Sequence, residues 1–258
     1  MTCKDIINTI EEFYPRDAAL DFDNVGLQAG RRDKEIRKIY LALDASDQVI
    51  EDAAAYGADM IITHHPLIFS PLKRVTDEDF ISRRILRMIQ KDICYYAMHT
   101  NYDVLRMAEL SAQILEIEQS VVLEETTADK SQGIGRIGSF SEAMTLAACA
   151  EHVKKKLKLP NVKVFGCPDW TVRCAATSPG SGKSVIGSAL EKGAQVLITG
   201  DIDHHEGMDA VARKLAIIDA GHYGTEYIFM EDMKQFLGEH LPEAEVEMAQ
   251  MQIPYFIQ

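Results

Sequence analysis

Two adjacent histidines, His64 and His65, follow the apolar run Met60 to Thr63 and stand directly before Pro66. Imidazoles in that place can ligate a divalent metal or handle protons, while Pro66 ends the strand and holds His65 extended. Side chains alternate along a strand, so the two rings should diverge unless the chain bends there, and diverging rings suit two ions better than one. Further ligand-type residues follow two other apolar runs. His99-Thr100-Asn101-Tyr102-Asp103 comes after Tyr95 to Met98, and His222-Tyr223-Gly224-Thr225-Glu226 comes after Ala216 to Asp219. His222 and Glu226 are one helical turn apart, so both can address one centre from one helix face. A histidine pair at a strand tip also fits an ordinary polar loop; three strand ends supplying His, Asp and Glu point to a metal site. His99, Asp201, His204 and His205 lie where supporting partners or a general acid would be needed, His99 first among them because it shares a loop with Asp103.

These residues must be carried by an α/β framework, because short β-branched runs alternate with longer helical patterns. The spacing predicts strands over Lys38 to Leu43, Met60 to Thr63, Ile93 to Met98, Val162 to Phe165, Val172 to Ala176, Val196 to Thr199 and Leu215 to Asp219. It predicts helices over Thr2 to Phe13, Ser46 to Tyr56, Ile81 to Lys91, Val104 to Leu115, Ser141 to Leu157, Ser184 to Lys192 and Tyr223 to Leu237. A helix-turn-strand unit occurs twice: Val49, Ile50, Ala53, Gly57, Ala58, Ile62 and Thr63 return as Val185, Ile186, Ala189, Gly193, Ala194, Ile198 and Thr199. Each copy ends in a polar cluster at the carboxyl end of a strand, where open α/β sheets bind ligands. The polar stretch Glu124 to Gln132 is the best candidate seam, giving two similar α/β lobes over residues 1–128 and 129–258. The fold expected is α/β, with mixed sheets flanked by helices and the metal site in a crevice between strand ends.

Composition excludes several classes. The 258 residues are 47% hydrophobic and 26% charged, the balance of a globular protein. Forty acidic against twenty-seven basic residues give a formal charge of −13, which makes nucleic acid an unsuitable general partner. No apolar stretch approaches the length of a membrane span, and the N-terminal segment lacks the basic-then-apolar pattern of a secretory signal. A cytoplasmic protein without membrane partners is expected. The cysteines Cys3, Cys94, Cys149, Cys167 and Cys174 form no Cys-x-x-Cys pair and read as small buried residues in a reducing compartment.

Two glycine motifs are decoys. Gly133-Ile134-Gly135-Arg136-Ile137-Gly138 has the spacing of a dinucleotide fingerprint, but a polar run precedes it and no acidic residue follows about 20 residues on. Thr177-Ser178-Pro179-Gly180-Ser181-Gly182-Lys183-Ser184 approaches a P-loop, yet Thr177 stands where the first glycine is required. It reads better as a glycine turn that lets a helix pack near the metal crevice, with its N-terminus open to an anion. Lys154-Lys155-Lys156 reads as a solvated face near a helix C-terminus.

Taken together, the stretches Asp23 to Gly30, Ile61 to Phe69, His99 to Asp103, Gly133 to Gly138 and Asp219 to Glu226 resemble, in order and over nearly the whole chain, the NGG-one-interacting-factor-three-like proteins. That family is also labelled GTP cyclohydrolase 1 type 2 homologues, or dinuclear-metal-centre hexameric proteins. The resemblance implies two divalent metal ions per subunit, held by His64, His65, Asp103, His222 and Glu226. His65 and Asp103 would serve one ion and His64 and His222 the other, with Glu226 bridging. Imidazole and carboxylate ligands do not distinguish zinc, iron, manganese or cobalt. It also implies a toroidal homohexamer and the short form of the chain, without an inserted domain. The expected activity is hydrolysis of a small nucleotide- or pterin-like substrate, with His99 and Glu226 as catalytic groups. The alternative is a hexameric metal-binding scaffold or metal chaperone without catalysis.

Overall fold

The computed structural model describes residues 1–251, 253 and 255. In chain order its elements are α1 (Cys3–Phe13), β1 (Gly26–Ala29), β2 (Lys38–Ala42), α2 (Asp47–Tyr56), β3 (Met60–Thr63), α3 (Phe80–Gln90), β4 (Cys94–Ala97) and the short turn α4 (Thr100–Tyr102). A π-helical turn, Asp103–Met107, leads into α5 (Ala108–Ile114), β5 (Glu118–Glu125), β6 (Gly133–Thr145), α6 (Leu146–Leu157), β7 (Lys163–Phe165) and β8 (Thr171–Ser181). Then follow α7 (Ile186–Glu191), β9 (Val196–Gly200), α8 (His204–Ala212), β10 (Ala216–Asp219), α9 (His222–Glu226), α10 (Ile228–His240) and β11 (Glu245–Met248). Helix starts are written in the sequence: Thr2 and Asp5 form a reciprocal capping box on α1, Ser46 caps α2, Asp79 caps α3, and Asp203 with Glu206 boxes α8.

The chain divides into two compact units. The first comprises residues 1–102 and the segment from Phe229 on; the second comprises residues 103–228. Each has one sheet. In the first unit the order is β1-β4-β3-β2-β11, with β11, β2, β3 and β4 mutually parallel and β1 antiparallel at the edge. In the second it is β5-β6-β8-β9-β10-β7, with β8, β9 and β10 parallel and the remaining pairs antiparallel. The mixed α/β class with two helix-flanked sheets is therefore as expected. Ile39, Leu41, Ile61, Ile62, Tyr95 and Tyr96 are fully buried in the first unit, and Val196, Leu197, Ile198, Ile217 and Ile218 in the second. Central parallel strands buried on both faces read as continuous apolar runs, which is why the sequence marks them clearly.

The repeated helix-turn-strand unit is real in structure. Gly57 and Gly193 both have φ +78°, and after each the chain closes the same bond, Ala58 N to Ala53 O and Ala194 N to Ala189 O, both 2.9 Å. The left-handed turn requires glycine there.

Several boundaries differ from expectation. The division falls at residues 102/103 and 228/229, not at 128/129. The polar run Glu124 to Gln132 is the end of β5 and a hairpin turn closed by Thr126 N to Gln132 O at 3.1 Å, which explains its polarity without a linker. Ser141 to Thr145 extends β6 instead of starting a helix, and Met144 pairs with Val172. The helix expected over Val104 to Leu115 starts earlier and is interrupted by the π turn. The strand expected over Val172 to Ala176 runs on to Ser181. No helix among the described residues is long and apolar enough to cross a membrane.

Candidate metal centre

In the first unit, the chain bends immediately after β3, at His64 and His65. Their ring centroids are 4.9 Å apart with planes at 51°, so the divergence expected of adjacent strand residues does not occur. Buried Tyr95, on the neighbouring strand, holds this bend: its hydroxyl donates to His65 O (2.9 Å), accepts from Leu67 N (3.0 Å) and lies 2.7 Å from Thr63 Oγ1. Burial pushes the Tyr95 phenol well above its ordinary pKa, so it stays a neutral donor. His99 follows β4, and the ring nitrogens of His64, His65 and His99 come within 4.8 Å of one another.

Each of these rings is set by a partner on Nδ1. His64 Nδ1 is 2.9 Å from Met98 O, and since a carbonyl only accepts, the proton sits on Nδ1 and the lone pair on Nε2. His65 Nδ1 is 3.0 Å from Asp44 Oδ1, and His99 Nδ1 is 2.9 Å from Asp23 Oδ1. Burial opposes ionisation of Asp23, but donation from His99 and Thr100 outweighs it and holds the carboxyl at about 2. The fully buried His64 is walled by the rings of Phe229 at 5.3 Å and Tyr102 at 6.3 Å.

The second unit builds a similar arrangement beyond β9 and β10. His222 Nδ1 lies 2.7 Å from Asp201 Oδ2, and His222 Nε2 lies 3.2 Å from Glu226 Oε1, one turn along α9. Glu226 is buried at 3% exposure, whereas His222 is partly open. Asp201 adopts φ +56°, a left-handed conformation that aspartate tolerates better than most residues. A Cβ at Gly180, itself at φ +71°, would overlap Glu226 Oε1, so glycine there makes room for the carboxylate. Gly180 N donates to Thr225 Oγ1 at 2.9 Å, fixing β8 against the same turn. Asp219 closes the loop, accepting from Ile202 N, Gly221 N and Lys163.

Of the residues singled out in the sequence, His64, His65 and His99 are brought together in the first unit, and His222, Glu226 and Asp201 in the second. Asp103 opens the π turn and is half-buried. π turns recur at functional sites. His204 and His205 are exposed on the first turn of α8. The Thr177 to Ser184 segment is no phosphate loop: Thr177 to Ser181 belong to β8, so the glycine turn expected there is corrected to strand, and α7 begins only at Ile186. Gly133 to Gly138 lie in antiparallel β6, not at a strand-to-helix turn. Lys154 and Lys156 lie in the last turn of α6 and pair with Glu151 and Glu116, the solvated face expected.

Sequence reasoning missed the imidazole partners Asp23 and Asp44 and the supporting Tyr95. Asp44 carries a usable signal, since it follows β2 as His64 and His99 follow β3 and β4. Asp23 carries none locally, being 76 residues from His99. The donor set fits a divalent metal: imidazoles with Nδ1 engaged by carbonyl or carboxylate leave Nε2 as the ligating atom, and a buried carboxylate stands beside one of them.

Fold and site together define a mixed α/β protein with carboxylate-supported imidazoles at the carboxyl ends of its parallel strands. The chain belongs to the Duf34/NIF3 (NGG1p interacting factor 3) family, which it matches over residues 1–254. It is 34% identical over 249 residues to a protein of Clostridium perfringens named GTP cyclohydrolase 1 type 2 homolog, covering 96% of this chain and 95% of that one. Among solved structures it resembles a Bacillus cereus protein related to NIF3, with TM-score 0.91, 25% identity and coverage of 100% and 99% of the two chains. It also resembles reduced HcgD from Methanocaldococcus jannaschii, with TM-score 0.83, 33% identity and coverage of 96% and 97%.

Proposed function

We propose that this chain is a divalent-metal-dependent hydrolase acting on a small nucleotide- or pterin-like substrate. The observation that supports this reading most is that His64, His65 and His222 each engage a carbonyl or carboxylate through Nδ1. That is the arrangement by which proteins orient imidazoles as ligands and raise their basicity. At His222 the opposite nitrogen faces Glu226 at 3.2 Å, where a lone pair and a carboxylate repel unless a proton or cation lies between them. The relatives' name supports GTP as the first substrate to try.

His64, His65, Asp103, His222 and Glu226 would hold two ions, zinc, iron, manganese or cobalt. A pair of divalent ions supplies the charge that polarises a scissile group and brings the pKa of water toward neutrality. The chain's own residues do the rest. Asp23 holds the Nδ1 proton of His99, so Nε2 is the end of that ring that exchanges a proton with substrate. Burial of His64 in the first unit and of Glu226 in the second keeps each group in one orientation.

The family resemblance also supports a homohexamer, which sedimentation of the full chain tests. The catalytic reading is tested by phosphate or formate release from GTP with zinc-, manganese- or iron-loaded protein. Turnover above background that His99→Ala lowers by about 100-fold, with metal content unchanged, is the expected result. Full metal occupancy with no turnover on any nucleotide or pterin would favour the scaffold instead.

A further inference from the structure

Two phenylalanines stand exposed at the edge of the first unit's sheet that carries the histidines. Phe22 is 61% exposed and Phe69 51%, yet their rings pair at 6.1 Å with planes at 46°. Their position follows from topology. Strand β1 is antiparallel to β4, with Gly26 opposite Ala97, so the segment entering β1 lies at the carboxyl end of β4. Parallel β3 and β4 present His64, His65 and His99 at that same end.

The anchors on either side of Phe22 are specific. Leu20 N donates to Thr100 Oγ1 at 2.8 Å, and Asp23 accepts from His99 Nδ1 at 2.9 Å and from Thr100 N at 2.9 Å. Phe22 is therefore bracketed by bonds from Leu20 on one side and Asp23 on the other to the His99-Thr100 corner. Phe69 is fixed from the other direction. Ile68 N donates to Gln28 Oε1 at 2.8 Å, Ile68 O accepts from the Asn24 side chain, and Leu67 N is held by Tyr95. Tyr95, which holds the His65 carbonyl, and Asp23, which orients His99, thus also anchor the segments that carry the two rings.

We propose that Phe22 and Phe69 form an aromatic platform that stacks the planar ring of the substrate and presents its polar substituent to the histidine cluster. Exposed aromatic faces fixed by polar anchors bind π-systems with little ordering cost. Burying them against a flat conjugated ring removes apolar surface from water, and no other polar group is needed from the rings themselves. The inference rests on the hydrolase reading for what the substituent reaches, and not for the stacking.

The test is fluorescence titration of the full chain, zinc-loaded and metal-free, with pterin-6-carboxylate as probe. Saturable binding is expected, weakened roughly 5- to 100-fold by Phe22→Leu and by Phe69→Leu, with unfolding midpoint and metal content unchanged. Phe22→Tyr, which keeps the ring face, should retain binding, and so should Phe80→Leu, which removes an exposed ring on α3. Phenylalanine-dependent binding that persists without metal supports the platform whatever becomes of the metal assignment. Absence of saturable binding to wild type, or equal affinity in the leucine variants, would overturn it. So would leucine variants that bind the probe normally but sediment as a smaller species, since the pair would then be covered by a second copy of the chain.

Discussion

A histidine becomes a useful ligand when its tautomer is fixed, and here the fixing groups come from elsewhere in the chain. Asp44 and Asp201 each lie 21 residues before the imidazole they orient. Asp44→Ala should therefore weaken metal binding by about 10- to 100-fold with His65 intact, measured by competition with a chelating dye. Asp23 has a consequence for stability. Its folded pKa, about 2, lies below the ordinary value of 3.8, so its ionised form stabilises the fold above about pH 4. That contribution, about 2 kcal/mol, is lost as pH falls through 2. Urea unfolding of metal-free wild type and Asp23→Asn should differ most at pH 5 and converge near pH 2; a gap that stays constant with pH would place the effect elsewhere. The histidines were legible because they follow apolar runs. Their carboxylate partners were not, because pairing across 76 residues leaves no local trace.

At the scale of elements, the buried parallel strands and their crossover helices were readable from apolar runs and caps. What escaped was structure defined by pairing. Strands β1, β5, β6 and β11 alternate polar and apolar residues or carry glycines, and only their neighbours make them strands. The glycine motifs show the same limit: Gly180 serves neither a phosphate loop nor a turn, but the space beside Glu226. This separates three glycines that share a positive φ. A Cβ at Gly57 or Gly193 would meet nothing within 4 Å, so alanine at either should cost about 1 kcal/mol from backbone alone. Gly180→Ala adds displacement of the Glu226 carboxylate and should also lower metal content. Thermal unfolding with metal analysis checks both, and equal behaviour of all three variants would contradict the role given to Gly180.

On the scale of the whole molecule, two units each place imidazole and carboxylate at the carboxyl ends of parallel strands, and the repeated helix-turn-strand unit is the common device. The sequence announced that repetition and the family, but not where the chain passes from one unit to the other, because the return of the segment from Phe229 to the first unit leaves no compositional mark. Everything proposed for the site depends on both sets of side chains binding metal. Metal content per chain tests this most directly, after incubation with zinc, manganese or iron(II) and gel filtration, for wild type, His64→Ala and His222→Ala. About two ions are expected in wild type and about one or fewer in each variant, with folding retained by circular dichroism. Well-folded wild type that retains none of the three metals would contradict the assignment.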